Sequence, residues 1–170
     1  MPTAVTRILL SLLLLLPLAA HAGDAQDFVA ANPAKQASLL ERWSAAPDAA
    51  RLPLLEALQQ GRVAADSAKT AFIETAGNYQ AAEGEAQPLD TPKKLRLNNR
   101  LRGLIATAVA SHQLLVDDPA LRLAAAQQLQ KSAKPAQLQL LNAQVASETD
   151  DAVRDALTLA LANLQLVDSD

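Results

Sequence analysis

Apolar residues recur at helical spacing at the two ends of this chain and lose that spacing in its middle. Leu39, Leu40 and Trp43, then Leu54, Leu55 and Leu58, fit one face of a helix. They predict a short helical piece over 24–31 and two longer helices on either side of Pro47-Asp48. Asn32 is placed as an N-cap with Pro33 at the first helical position, and Gly61 as the glycine just past the second helix. Over 62–97 the helical period fades. "KTAFIE" (69–74) alternates weakly around Phe72 and Ile73, "TAGN" (75–78) reads as a turn, and "YQA" follows, which predicts a small β-hairpin. "AEGEAQPLDTP" (82–92) is an acidic loop, and "KKLRL" after it is a third short strand or an irregular lead-in. From Asn98 the helical period returns. Leu101, Leu104, Ile105, Ala108, His112 and Leu115 share a face of a helix reaching about 116, capped by Asn98 or Asn99. Three more helices are predicted at about 119–131, 135–147 and 151–166.

Two of these helices open on a repeated phrase. "DPALRLAAAQQL" (118–129) aligns with "DDAVRDALTLAL" (150–161) at an offset of 32. Asp118 and Asp150 suit N-caps, Leu121 and Val153 a shared core, and Ala124 and Ala156 a close helix approach. Arg122 and Arg154 read as bridges to an acidic group or carbonyl of the adjacent turn, against a sharper reading as a ligand-binding arginine ladder. A helix pair repeated at this interval is the mark of an α-solenoid. The fold expected is mainly α: a short HEAT-like α-solenoid with a small β-hairpin insert near residues 69–97. With only two pairs and an ending at "LQLVDSD", the array looks cut short.

The apolar run "ILLSLLLLL" (8–16) stands apart. Arg7 precedes it, Pro17 breaks it, and Ala20-His21-Ala22 supplies small residues where a signal peptidase reads them. The run is short for a span of about 20 residues. We read 1–22 as a signal peptide cleaved after Ala22, with an uncleaved anchor as the alternative. One compact domain, 23–170, follows: an N-terminal helical segment (23–61), the hairpin and loop insert (62–97) and the HEAT-like repeats (98–170). The expected location is the periplasm, or the extracytoplasmic face of a bacterial inner membrane. Without Arg7, fourteen basic and eighteen acidic residues remain, a net charge of −4.

Against that acidic balance, "KKLRLNNRLRG" (93–103) concentrates Lys93, Lys94, Arg96, Arg100 and Arg102, with Asn98 and Asn99 between them. Export argues against nucleic acid as the partner, and the scarcity of aromatic residues removes base stacking. Three readings remain: an internal ion-pair clasp with Glu83, Glu85 and Asp90 of the acidic loop, docking to an acidic partner, and contact with anionic lipid. The chemistry of catalysis is thinly represented. There is no cysteine, His112 is the only histidine after the leader, no GxSxG motif or phosphate-cradling glycine loop occurs, and the loop carboxylates lack a rigid frame. No enzyme, metal site or cofactor is expected. Trp43 reads as a core anchor, with sugar or partner stacking as the weaker alternative.

Taken together, the leader, "LQQGRVAADSAKTAFIE", "KKLRLNNRLRGLIATAVASHQLLVDDPALRLAAAQQL" and "VRDALTLALANLQLVD" resemble the N-terminal extracytoplasmic region of urea ABC transporter permeases, subunits of the branched-chain amino-acid type. The resemblance runs over essentially the whole chain, and "LNNRLRG" with the following repeat is its most specific part. It implies a structural or partner-docking module in urea import. The partners implied are the second permease subunit and the periplasmic urea-binding protein, with membrane contact only through a missing C-terminal region or an uncleaved signal. The pore-forming part of such permeases is absent from these 170 residues, so the chain reads as a fragment or the product of an interrupted gene. The alternative is a free-standing periplasmic HEAT-like scaffold with no transport role.

Overall fold

The computed structural model describes residues 23–167; the leader expected at 1–22 lies outside them. Helices α1 (Asp24–Ala30), α2 (Pro33–Ala45) and α3 (Leu52–Gln59) come first. The side chain of Asn32 accepts from the amide of Lys35 with Pro33 as the first helical residue, as expected from the sequence. A 3-10 turn at Ala49–Arg51, capped by Asp48, leads into α3. Gly61 ends α3 at φ +66°. Its amide donates to the Leu58 carbonyl and that of Arg62 to the Ala57 carbonyl, the paired bonds of a Schellman stop.

The middle of the chain holds more than a hairpin. Strands β1 (Val63–Ala65), β2 (Ala71–Thr75), β3 (Asn78–Ala81) and β4 (Lys93–Lys94) form one antiparallel sheet in the order β3-β2-β1-β4. The β2–β3 hairpin falls at the expected turn, with Ala76 (φ 51°) and Gly77 (φ 82°) as its two loop residues. β1 was not expected. It is three residues long and lies directly after Gly61 and Arg62, too short to show a period. Val63, Ala71 and Ile73 face the helices, while Ala64 and Phe72, paired across β1 and β2, are buried on the opposite face.

Helices α4 (Asn99–Gln113), α5 (Pro119–Ser132), α6 (Leu138–Ser147) and α7 (Asp151–Val167) complete the chain, with a 3-10 turn at Pro135–Gln137 before α6. The protein is thus mainly helical with a small four-stranded antiparallel sheet. α4 packs on α2 and α3 on one side and on α5 on the other; α5 packs on α7, and α7 on α6. This central position changes the expected single apolar stripe of α4. Residues 107–112 are buried without a break, whereas Leu115 is exposed. The run "TAVAS" allows this, because small side chains let neighbouring helices close in on every side. Leu101, Ile105, Ala108 and Val109 join a core with Phe28, Leu40, Trp43, Leu55, Leu58 and Val63. Ala110 and Leu114 join a second core with Leu129, Leu141, Leu157 and Leu164.

The sequence repeat holds for the helix starts but not for the buried faces. α7 buries Val153, Ala156, Leu157, Ala160 and Leu164, a regular helical stripe. α5 buries Ala125, Ala126 and Leu129, while Leu121 and Ala124, the partners of Val153 and Ala156 in the alignment, are exposed. Relative to the alignment, the buried face of α5 is turned by about one residue. The reason is its neighbours: α5 is held between α4 and α7, and α7 between α5 and α6.

Candidate functional site

The basic strip runs from β4 into the first turn of α4, on exposed backbone apart from Leu101 and the half-buried Leu95 and Leu97. Lys94, paired by backbone with Ala64, reaches across to Glu74 of β2 at 2.5 Å. The hydrogen bond and charge of Glu74 raise the Lys94 ammonium above its ordinary range. Asn98 caps α4 by accepting from the Leu101 amide at 2.9 Å, and Asn99 is the first, exposed residue of the helix. Arg100 faces Glu41 of α2 at 3.9 Å, with side chains 74% and 51% exposed, a pair of little energetic weight. Arg102 donates to the Leu97 carbonyl at 3.2 Å. Lys93 and Arg96 are exposed and have no ion-pair partner among the described residues.

The expected clasp with the acidic loop does not form among the described residues. Glu83 accepts from the amides of Gly23 and Ala25 at the start of α1, and Asp90 accepts from Ser67. Beside Asp90, Asp66 is a buried carboxylate that the sequence reading passed over. Burial works to raise its pKa, but amide hydrogen bonds from Leu89, Thr70 and Ala68 outweigh this and leave it below the ordinary range. It ties the β1–β2 turn to the loop preceding β4. The spacing "D-S-A-K-T", an Asp before a tight turn closed by Thr70, was the available clue.

His112 is wholly buried, more so than its place on a stripe suggested. Its Nδ1 lies 2.8 Å from the Ala108 carbonyl, and its Nε2 lies 3.4 Å from Nη1 of Arg51. A carbonyl only accepts and a guanidinium only donates, so the proton sits on Nδ1 and Nε2 is the acceptor. Arg51 is itself buried, paired with Asp24 at 2.6 Å, with its guanidinium carbon 5.1 Å from the centre of the Trp43 ring. Trp43 stacks on Phe28 at 5.9 Å. All of these groups are spoken for by one another, which makes the cluster a joint between α1, α2, the 3-10 turn before α3, and α4.

The repeat arginines act as bridges. Arg122 donates to both oxygens of Glu148 at 2.8 Å and to the carbonyls of Val116 and Asp117. The Arg122 hydrogen bonds hold Glu148 well below the ordinary carboxylate range, at about 2, against the opposing effect of burial. Arg154 donates to the Glu148 carbonyl and pairs with Asp151. Each arginine thus grips the carbonyl six residues before it. Asp118 and Asp150 cap their helices as expected, accepting from Ala120 and Val153.

The remaining concavities are open grooves. One of them, about 580 Å³, lies between α5 and α7 and is lined by Leu123, Gln127, Gln130, Lys131, Asp155 and Ala156. Among the described residues, no group of three or more His, Asp or Glu side chains is placed to hold a metal ion, and no helix is long and apolar enough to cross a membrane. Fold and surface together define a small mainly helical protein with a basic rim where its sheet meets its central helix. Comparison with protein-family models, curated proteins and solved structures found no match.

Proposed function

We propose that this chain is an extracytoplasmic docking module of a urea importer, the N-terminal part of an ABC permease subunit, whose basic rim meets an acidic surface on the periplasmic urea-binding protein. The observation that carries the reading is the rim itself. Of its five cations, Lys94 and Arg100 face carboxylates; Lys93, Arg96 and Arg102 face none among the described residues. A rim of uncompensated charge favours encounter with an oppositely charged partner. The helical half supplies the frame. α4–α5 and α6–α7 are read as two HEAT-like pairs, supported by the matching caps and by the six-residue reach of Arg122 and Arg154.

The test is a pull-down of the exported chain against the urea-binding protein and against the second permease subunit. Retention of the binding protein, weakened by added salt, is expected. No retention of either at high micromolar concentration, under conditions where an intact permease retains them, contradicts docking and favours a free-standing scaffold.

A further inference from the structure

The first four described residues are each tied down by the body of the protein. The amide of Gly23 donates to Glu83 Oε2 at 2.7 Å, and that of Ala25 to Glu83 Oε1 at 2.8 Å. Asp24 pairs with the buried Arg51. Gln26 donates to the Lys69 carbonyl at 2.8 Å and accepts from the Ala71 amide at 3.2 Å. Glu83 comes from sixty residues away in sequence, in the loop after β3. In a chain cleaved after Ala22 these would be terminal residues, which are seldom ordered unless something holds them. Gly23 follows Ala20-His21-Ala22, so cleavage after Ala22 would make these four held residues the start of the chain.

The geometry points to Glu83 as a receptor for the new amino terminus made when the leader is removed. Hydrolysis of the Ala22–Gly23 bond by a signal peptidase and water adds hydroxyl to the Ala22 carbonyl carbon. The Gly23 nitrogen takes a hydrogen from water and the proton that the new Ala22 carboxyl releases. The result is a carboxylate on the departing leader and an α-ammonium on Gly23. That ammonium forms 2.7 Å from Glu83 Oε2, where the amide now sits, and the neutral bond becomes a charge-assisted one. Glu83 is needed there, because a positive charge ahead of α1 opposes the helix dipole. Asp24 and Asp27 in the first turn of α1 share the task. Gly23 suits the site in the precursor as well, since its φ of +115° strains any side chain. Leader removal thereby strengthens a hold on α1 that the uncleaved chain already makes through Glu83.

This inference rests on the export reading, and the experiment separates the two. The full chain is exported from a bacterium, and the intact mass of the periplasmic product is measured. A first residue other than Gly23 overturns both. With Gly23 first, the α-amine is acylated at neutral pH and its rate read from the N-terminal peptide, in the wild type and in Glu83→Gln. The expected result is a rate at least about tenfold slower in the wild type. Equal rates in two folded proteins overturn the receptor and leave export standing. Should Glu83→Gln fail to fold, Glu83→Asp replaces it. That variant keeps the charge one methylene further off, and protection between the wild-type rate and that of the guanidinium-unfolded chain is the expected outcome; full wild-type protection contradicts the proposal.

Discussion

Glu148 ties the stability of the fold to pH. Its folded pKa of about 2 lies below the 4.5 of an ordinary glutamate, so as pH falls the unfolded chain takes up the proton before the folded one does. The stabilisation is therefore complete above about pH 4.5 and is lost as pH falls towards 2. By linkage it amounts to about 2–3 kcal/mol for a group this buried. Denaturant unfolding between pH 6 and pH 2.5 should show that loss in the wild type and lack it in Glu148→Gln. Replacing Arg122 by Ala leaves the carboxylate with only the amides of Thr149 and Asp150 and is expected to cost about 3 kcal/mol in the same measurement at neutral pH. His112 gives a different outcome. His112→Ala removes one acceptor of a buried guanidinium, which keeps Asp24, and opens a cavity in α4, for an expected loss of about 2–4 kcal/mol. Its effect belongs in the melting temperature. A folded His112→Ala protein with its partner binding intact is the expected result, and a selective loss of binding at unchanged stability would move His112 into the interface.

Two left-handed positions test the elements. Ala76 sits at φ 51° in the first place of a two-residue hairpin turn that favours Asn or Gly. Ala76→Gly is expected to stabilise the protein by about 0.5–1 kcal/mol, seen as a higher melting temperature. Gly61, at φ +66°, gives the opposite sign: Gly61→Ala should cost about 1 kcal/mol. Both turns were legible because turn chemistry is local. Gly61 had to be a glycine to end α3, and "TAGN" marked the hairpin. The helices were legible for a similar reason, since Asn32, Asn98, Asp118 and Asp150 each announce a start through a bond to an amide two or three residues on. β1 was not legible, because three residues carry no period and what makes them a strand is their pairing with β2 and β4. The buried face of α5 was not legible either. "ALRLAAAQQL" is apolar enough to bury on several sides, and the choice between Leu121 and Ala125 was made by α4 and α7.

At the scale of the molecule, α4 joins two cores and the basic strip marks where it begins. The strip's cations were legible as a group, but not their partners. Glu74 and Glu41 are brought to Lys94 and Arg100 by sheet pairing and by the packing of α2 on α4, which no local pattern encodes. The acidic loop was the nearer choice in sequence, but two of its carboxylates, Glu83 and Asp90, are taken up with the amides of Gly23, Ala25 and Ser67. The cations it leaves uncompensated are the basis of the proposed docking. The most direct measurement is a titration of the exported protein with the periplasmic urea-binding protein, in the wild type and with Lys93→Glu and Arg96→Glu combined. Both residues lie on the surface, away from the two cores, so stability should hold. The account predicts at least about tenfold weaker binding for the double variant, with a shallower salt dependence. Equal affinity for the two proteins, or no binding by the wild type at high micromolar concentration, would contradict it.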